Sequence, residues 1–118
     1  MKLISSFKKI VSNYDYFLFD QWGVLHNGSC KFPLAEECLS FLKNKNKFVI
    51  LVSNSSRPTK FSIKNLDKLG ISNNLYDYCI TSGQIALNFL EKDIYNRYGK
   101  KCFPIKLTKE KINYFNLD

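Results

Sequence analysis

Histidine and arginine are nearly missing from this sequence, and each shortage closes off a class of function. Of 118 residues a single one is histidine, His26. The four cysteines, Cys30, Cys38, Cys79 and Cys102, include no Cys-x-x-Cys pair. Structural zinc needs closely spaced sulfur and nitrogen ligands, so a zinc module is excluded. Only two of the 18 basic side chains are arginine, Arg57 and Arg97. Arginine is the usual base-reading and bidentate phosphate residue of nucleic-acid binders. The formal net charge of +8 therefore reads as scattered lysine, and no nucleic-acid partner is expected.

Long apolar runs are also absent. No stretch approaches the roughly 20 apolar residues of a membrane span. The opening residues, MKLISSFKKIVS, lack the apolar run of about 7–15 residues that a secretory signal requires. The expectation is a cytosolic chain with reduced thiols and no membrane partner. There is no repeat, low-complexity tract or flexible linker.

What is present is core material. Hydrophobic residues make up 45% and aromatics 15%, too apolar for a disordered chain and enough for one domain. Tyr14 to Asp20 contains a continuous apolar aromatic run, as a strand buried on both faces should show, and Phe48-Val49-Ile50-Leu51-Val52 is the clearest buried strand. Tyr78 to Thr81 reads as a short third strand. Between the first two strands, Pro33 suits the first turn of a helix, with Ala35, Cys38, Leu39 and Leu42 forming its apolar stripe. A second helix, from about Thr59 to Leu69, is closed by Gly70. A third, from about Gly83 to Tyr98, carries Ala86, Leu90 and Ile94 on one row and ends at Gly99. Lys101 to Leu107 is a weak fourth-strand candidate because of Pro104, and residues 108–118 read as the start of another helix. Strand and helix alternate, which predicts an α/β fold with a parallel sheet and right-handed crossovers.

In such sheets, function gathers at the carboxyl ends of the strands. Three segments fall there: Asp20-Gln21-Trp22-Gly23, Ser53-Asn54-Ser55-Ser56-Arg57 and Thr81-Ser82-Gly83. A carboxylate directly after a buried strand serves as a nucleophile, a metal ligand or simply a turn-forming Asp. Ser53 and Asn54, with Arg57 adding charge, form either an anion cradle at a helix start or an ordinary N-cap cluster. On adjacent parallel strands the two segments share one edge. A carboxylate opposite an anion cradle suggests phosphoryl chemistry.

Phe17-Leu18-Phe19-Asp20-Gln21-Trp22-Gly23-Val24-Leu25 resembles the first motif of the haloacid dehalogenase superfamily, an apolar strand followed by Asp-x-Asp-Gly-(Val/Thr)-Leu. Val52-Ser53-Asn54 is similar to its second motif. The Ser-Asn pair, the motif spacing and Thr81-Ser82-Gly83 resemble the class IIA branch, which includes nitrophenylphosphatase-like and sugar-phosphate phosphatase-like enzymes. The resemblance covers about residues 14–105. It implies a Rossmann-like three-layer α/β fold, with residues 1–100 as the N-terminal half of the core and 101–118 as the start of a truncated cap. It implies that Asp20 is the nucleophile, forming an aspartyl-phosphate and binding Mg²⁺, with the Trp22 carbonyl as a second metal ligand. Ser53 and Asn54 would hold the phosphoryl group of a phosphorylated small molecule, and Gly23 would permit the turn.

Two departures from the pattern stand out. Trp22 occupies the position of the family's second Asp, the general acid/base. The resemblance implies that the family's third-motif Lys and fourth-motif acids would follow a cap and so fall beyond these 118 residues. The expectation is that these 118 residues alone are inactive. They would act as a remnant, as a phosphate-binding module, or as one half of an enzyme whose C-terminal half is encoded separately.

Overall fold

A computed structural model describes residues 6–103 and 105. Three strands, β1 (Tyr16–Asp20), β2 (Phe48–Ser53) and β3 (Tyr78–Thr81), form a parallel sheet in the order β1-β2-β3. Phe17 pairs with Val49, Phe19 with Leu51, and Ser53 with Thr81. Two crossover helices, α1 (Ala35–Asn44) and α2 (Thr59–Lys68), connect the strands. After β3 the chain turns directly into α3 (Ser82–Phe89), then passes through a π-helical stretch (Leu90–Ile94) and a short helical turn, α4 (Tyr95–Tyr98). No helix among the described residues is long and apolar enough to cross a membrane.

The core lies on one face of the sheet. Phe17, Val49 and Leu51 from the strands meet Leu39 and Leu42 from α1 and Leu66 from α2, with Ile71, Leu75 and Tyr76 closing the end. Each fully buried Leu contributes about 1.5–3 kcal/mol. Two short 3-10 turns, Phe7–Lys9 and Val11–Asn13, form the amphipathic lead-in. Phe7 packs edge-on against Phe17, with ring centroids 5.6 Å apart.

The opposite face is different. Successive side chains of a strand alternate between faces, so Tyr16, Leu18, Val52 and Tyr78 share the second face, and all four are exposed, Leu18 by 66%. Among the described residues this second face is the more open one, and the parallel sheet with its helices is the α/β, Rossmann-like arrangement expected.

Other expectations shift in detail. Pro33 stands outside α1, which starts at Ala35 after Leu34 takes a left-handed conformation (φ 66°). Gly70, at φ 77°, closes α2 as its lack of a Cβ allows. The row Ala86, Leu90 and Ile94 does not reach the core, since Ala86 is exposed and the other two are only half-buried. Lys101 to Phe103 are not strand. The rest of the fourth-strand candidate, apart from exposed Ile105, and the helix start at 108–118 lie outside the described residues.

Candidate functional site

The first loop is built around one carbonyl. Gln21 follows β1, and its carbonyl oxygen accepts N–H bonds from Val24, Leu25 and His26 at 3.3, 2.9 and 3.3 Å. That wrapping forces a reversal, and Gly23 supplies it at φ 80° while donating its N–H to the His26 carbonyl at 2.8 Å. The Gln21 side chain is buried: its Oε1 accepts from Ser62 on α2 at 2.7 Å, and its Nε2 donates to the Cys79 sulfur on β3 at 3.3 Å. The Asp20 carboxylate accepts the Gln21 N–H at 2.8 Å.

Trp22 projects outward, 66% exposed, and lies over Gly28. A Cβ at Gly28 would stand 2.6 Å from the indole Cη2. The imidazole of His26 meets the indole edge-on, with ring centroids 6.0 Å apart. His26 is buried, and burial pushes its pKa below the usual 6.5, while the Asp20 carboxylate pulls it back up.

The second loop follows β2. The Ser53 hydroxyl oxygen accepts the Ser55 N–H at 3.2 Å, and the Ser55 hydroxyl oxygen accepts the Arg57 N–H at 3.3 Å. The start of α3 clamps this loop from behind. Gly83 donates its N–H to the Ser55 carbonyl at 2.9 Å. The Thr81 hydroxyl donates to the Arg57 carbonyl at 2.8 Å and accepts the Gln84 N–H at 3.2 Å as the α3 N-cap. Thr81-Ser82-Gly83 therefore positions the second loop.

Between the two loops and α2 lies a cavity of about 430 Å³. Ser53, Asn54, Ser55 and Arg57 line one wall, Gln21, Trp22, His26 and Gly28 another, and Phe61, Ser62 and Asn65 of α2 the third. Ser53, Asn54 and Arg57 thus meet as the sequence placed them. Asp20 ends its strand at the same edge, but it is not on the cavity wall. Its register partner is Val52, which puts it on the sheet face opposite Ser53. Gln21, His26, Ser62 and Asn65 were not singled out from the sequence. The sole histidine of the chain, inside the loop carrying the first motif, was the signal available.

Ser53, Asn54 and Arg57 bring to the cavity a hydroxyl, an amide and a guanidinium, whose donors suit an acceptor-only oxyanion. For a cation the described residues offer less. No group of three or more His, Cys, Asp or Glu is placed to hold a metal among them, which leaves Asp20 and the Trp22 carbonyl.

Residues 17–112 match the family described as haloacid dehalogenase-like hydrolases. A 4-nitrophenylphosphatase from Schizosaccharomyces pombe is 33% identical over 100 residues, which is 84% of this chain and 33% of that protein. Among solved structures, a haloacid dehalogenase-like hydrolase from Brucella suis superposes with a TM-score of 0.72 at 27% identity, covering 87% of this chain and 45% of that one. A possible sugar phosphatase of the same superfamily from Cytophaga hutchinsonii gives 0.67 at 28% identity, covering 77% and 32%. The chain spans a third of the yeast protein and less than half of either solved structure. With the motifs, the parallel sheet and the edge cavity in agreement, this chain belongs to the haloacid dehalogenase-like hydrolases.

Proposed function

We propose that this chain carries the phosphate-binding side of a class IIA haloacid dehalogenase-like phosphatase. The parent reaction is Mg²⁺-dependent hydrolysis of a phosphate ester through an aspartyl-phosphate on Asp20. The observation that carries the reading is the convergence of Ser53, Asn54 and Arg57 on one cavity at the carboxyl edge of the sheet. The Ser53 oxygen already accepts the Ser55 N–H, so its O–H is left to donate to a phosphoryl oxygen. Arg57 supplies charge and a planar fork of donors. The activities named for the yeast and Cytophaga relatives support a phosphorylated small molecule as the ligand class.

Magnesium is assigned to the parent reaction and not to these residues. The ion prefers octahedral oxygen coordination, and Asp20 with the Trp22 carbonyl is too small a set to fit it alone. In this reading residues 1–100 form the N-terminal half of the core, residues 101–118 begin a cap, and the 118 residues by themselves bind phosphate without turning over esters.

A second reading is favoured by the open sheet face. Tyr16, Leu18, Val52 and Tyr78 present apolar surface at a strand layer that α/β folds cover with helices. A separately encoded C-terminal half would cover it and complete the site. Co-expression with such a half, with recovery of turnover, distinguishes this reading from a non-catalytic phosphate-binding module.

The test of the main reading is a titration of the ¹⁵N-labelled chain with inorganic phosphate. Weak binding that shifts the amides of Ser53 to Arg57, and that Ser53→Ala weakens by about fivefold, is expected for the loss of one hydrogen bond. Tight binding indifferent to Ser53→Ala and Asn54→Ala would refute the assignment.

A further inference from the structure

We propose that His26 is a ligand-binding residue of this cavity, donating its Nε2–H to an oxygen of the bound phosphate or phosphate ester. The proposal rests on the phosphate-site reading of the same cavity and adds a donor from the first loop to those of the second.

The case starts with the tautomer. The Nδ1 of His26 accepts the main-chain N–H of Gly28 at 3.0 Å. A ring nitrogen that accepts a hydrogen bond carries no proton, so in the neutral imidazole the proton is on Nε2. The loop enforces this arrangement at both ends of the residue. The His26 N–H is held by the Gln21 carbonyl, and its carbonyl is held by the Gly23 N–H. Gly28 reaches Nδ1 from φ 93°, with the Trp22 indole lying where a Cβ would be. The ring is thereby fixed with a known donor end.

That donor end is unused among the described residues, where no hydrogen bond takes the Nε2–H. Nor is it sealed away, because the one buried side-chain nitrogen or oxygen without a partner among them is Tyr76 Oη. His26 as a whole is only 5% exposed, and the open space it borders is the cavity it shares with Ser53, Asn54 and Arg57. A purely loop-fixing role accounts for Nδ1 and leaves the Nε2–H, on a residue that lines the cavity, without a partner among the described residues. Gln21, the other buried polar side chain on that wall, differs in kind, since both its amide oxygen and nitrogen are already engaged by Ser62 and Cys79. A neutral N–H donor beside the Arg57 guanidinium, the Asn54 amide and the Ser53 hydroxyl adds to the donors that line the cavity. Phosphate, whose exposed oxygens accept, is the complementary ligand class.

Because His26 is the only histidine, the long-range ¹H–¹⁵N spectrum of the intact wild-type chain contains one imidazole and needs no variant. At neutral pH that imidazole should show the Nε2–H tautomer, and saturating inorganic phosphate should shift Nε2 while leaving Nδ1 in place. His26→Phe, which keeps a ring but no donor, should weaken phosphate binding about five- to tenfold. His26→Gln, which places an amide N–H near the same point, should recover part of that loss. An Nδ1–H tautomer overturns the proposal, as does an Nε2 signal that stays still while the amides of Ser53 to Arg57 move. Amides that stay still at saturating phosphate overturn the phosphate-site reading itself, and the His26 role with it.

Discussion

Gly83 is packed directly against the main chain at Ser56. A β-carbon at position 83 would overlap the Ser56 carbonyl and stand 2.7 Å from the carbonyl oxygen of Arg57. Its own N–H meanwhile bonds the Ser55 carbonyl. The loop that lines the cavity is therefore held by the absence of a side chain on α3. At an open helical site, Gly→Ala gains up to about 1 kcal/mol from propensity. Here backbone atoms would have to move, and overpacking of this kind costs about 1–3 kcal/mol. Gly83→Ala should lower stability in urea denaturation by that amount and weaken phosphate binding through the displaced loop. An increase in stability would show that the two segments are not in contact.

Gln21 links three elements through one side chain, joining the end of β1 to Ser62 on α2 and Cys79 on β3. Gln21→Leu keeps the volume and removes both bonds, leaving the Ser62 hydroxyl without its 2.7 Å acceptor. The expected loss is about 1–3 kcal/mol, read as a lower denaturation midpoint with an unchanged slope. Burial pushes the Cys79 thiol pKa up, outweighing the bonds from Ser62 and Gln21. The thiol should accordingly resist alkylation in the native chain and become more reactive in Gln21→Leu, where access opens.

How far the sequence reached can be seen in these same residues. The three strands and their order were legible because Phe48 to Val52 and the run ending at Asp20 are apolar and uninterrupted, a pattern that parallel pairing explains. The same pattern led to the expectation of burial on both faces, whereas Leu18 and Tyr16 are open among the described residues. A sequence pattern records which faces are apolar, and coverage depends on what packs there. Ser53, Asn54 and Arg57 were legible from their place after a strand. Gln21 and His26 were not, because their importance comes from partners 41 and 58 residues away, as for Gln21, or from one loop hydrogen bond that fixes a tautomer. The π-helical stretch Leu90–Ile94 was also hidden. A wider turn moves the following residues off the row that an ideal helix predicts.

Asp77 provides a pH test. Its carboxylate takes a hydrogen bond from the Lys43 ammonium, at the end of α1, and another from the Val49 N–H of β2 at 2.7 Å. The Lys43 bond, then the Val49 bond, hold its pKa below the ordinary 3.8. A depressed carboxylate contributes stability that is present above the unfolded-state value and lost as pH falls through the folded one. The wild-type chain should thus lose stability as pH drops below about 3.8. Asp77→Asn should cost about 1 kcal/mol at neutral pH, the partial exposure of the pair limiting the effect. The variant should also show a flatter acid limb in denaturation midpoints measured against pH. Parallel acid limbs for the two proteins would remove Asp77 from the account.

The last prediction concerns turnover. Incubated with p-nitrophenyl phosphate or a panel of phosphosugars, the isolated 118-residue chain should show no Mg²⁺-dependent hydrolysis above background. Asp20 is present at the carboxyl end of β1, but Trp22 stands where the family resemblance places the proton carrier, and an indole cannot transfer that proton. General acid–base catalysis typically contributes about 10²–10⁴-fold. Asp20 is also off the cavity wall that Ser53, Asn54 and Arg57 share. Among the described residues no group of three or more His, Cys, Asp or Glu is placed to hold a metal ion. Phosphoryl transfer depends mainly on positioning and charge stabilisation, and parts that act as a unit lose nearly everything when one is missing. Phosphate binding should therefore be measurable where turnover is not. Hydrolysis that requires Mg²⁺ and disappears in Asp20→Asn would overturn the inactive reading. Hydrolysis that appears only when a C-terminal half is added would place Asp20 in a site assembled from two chains.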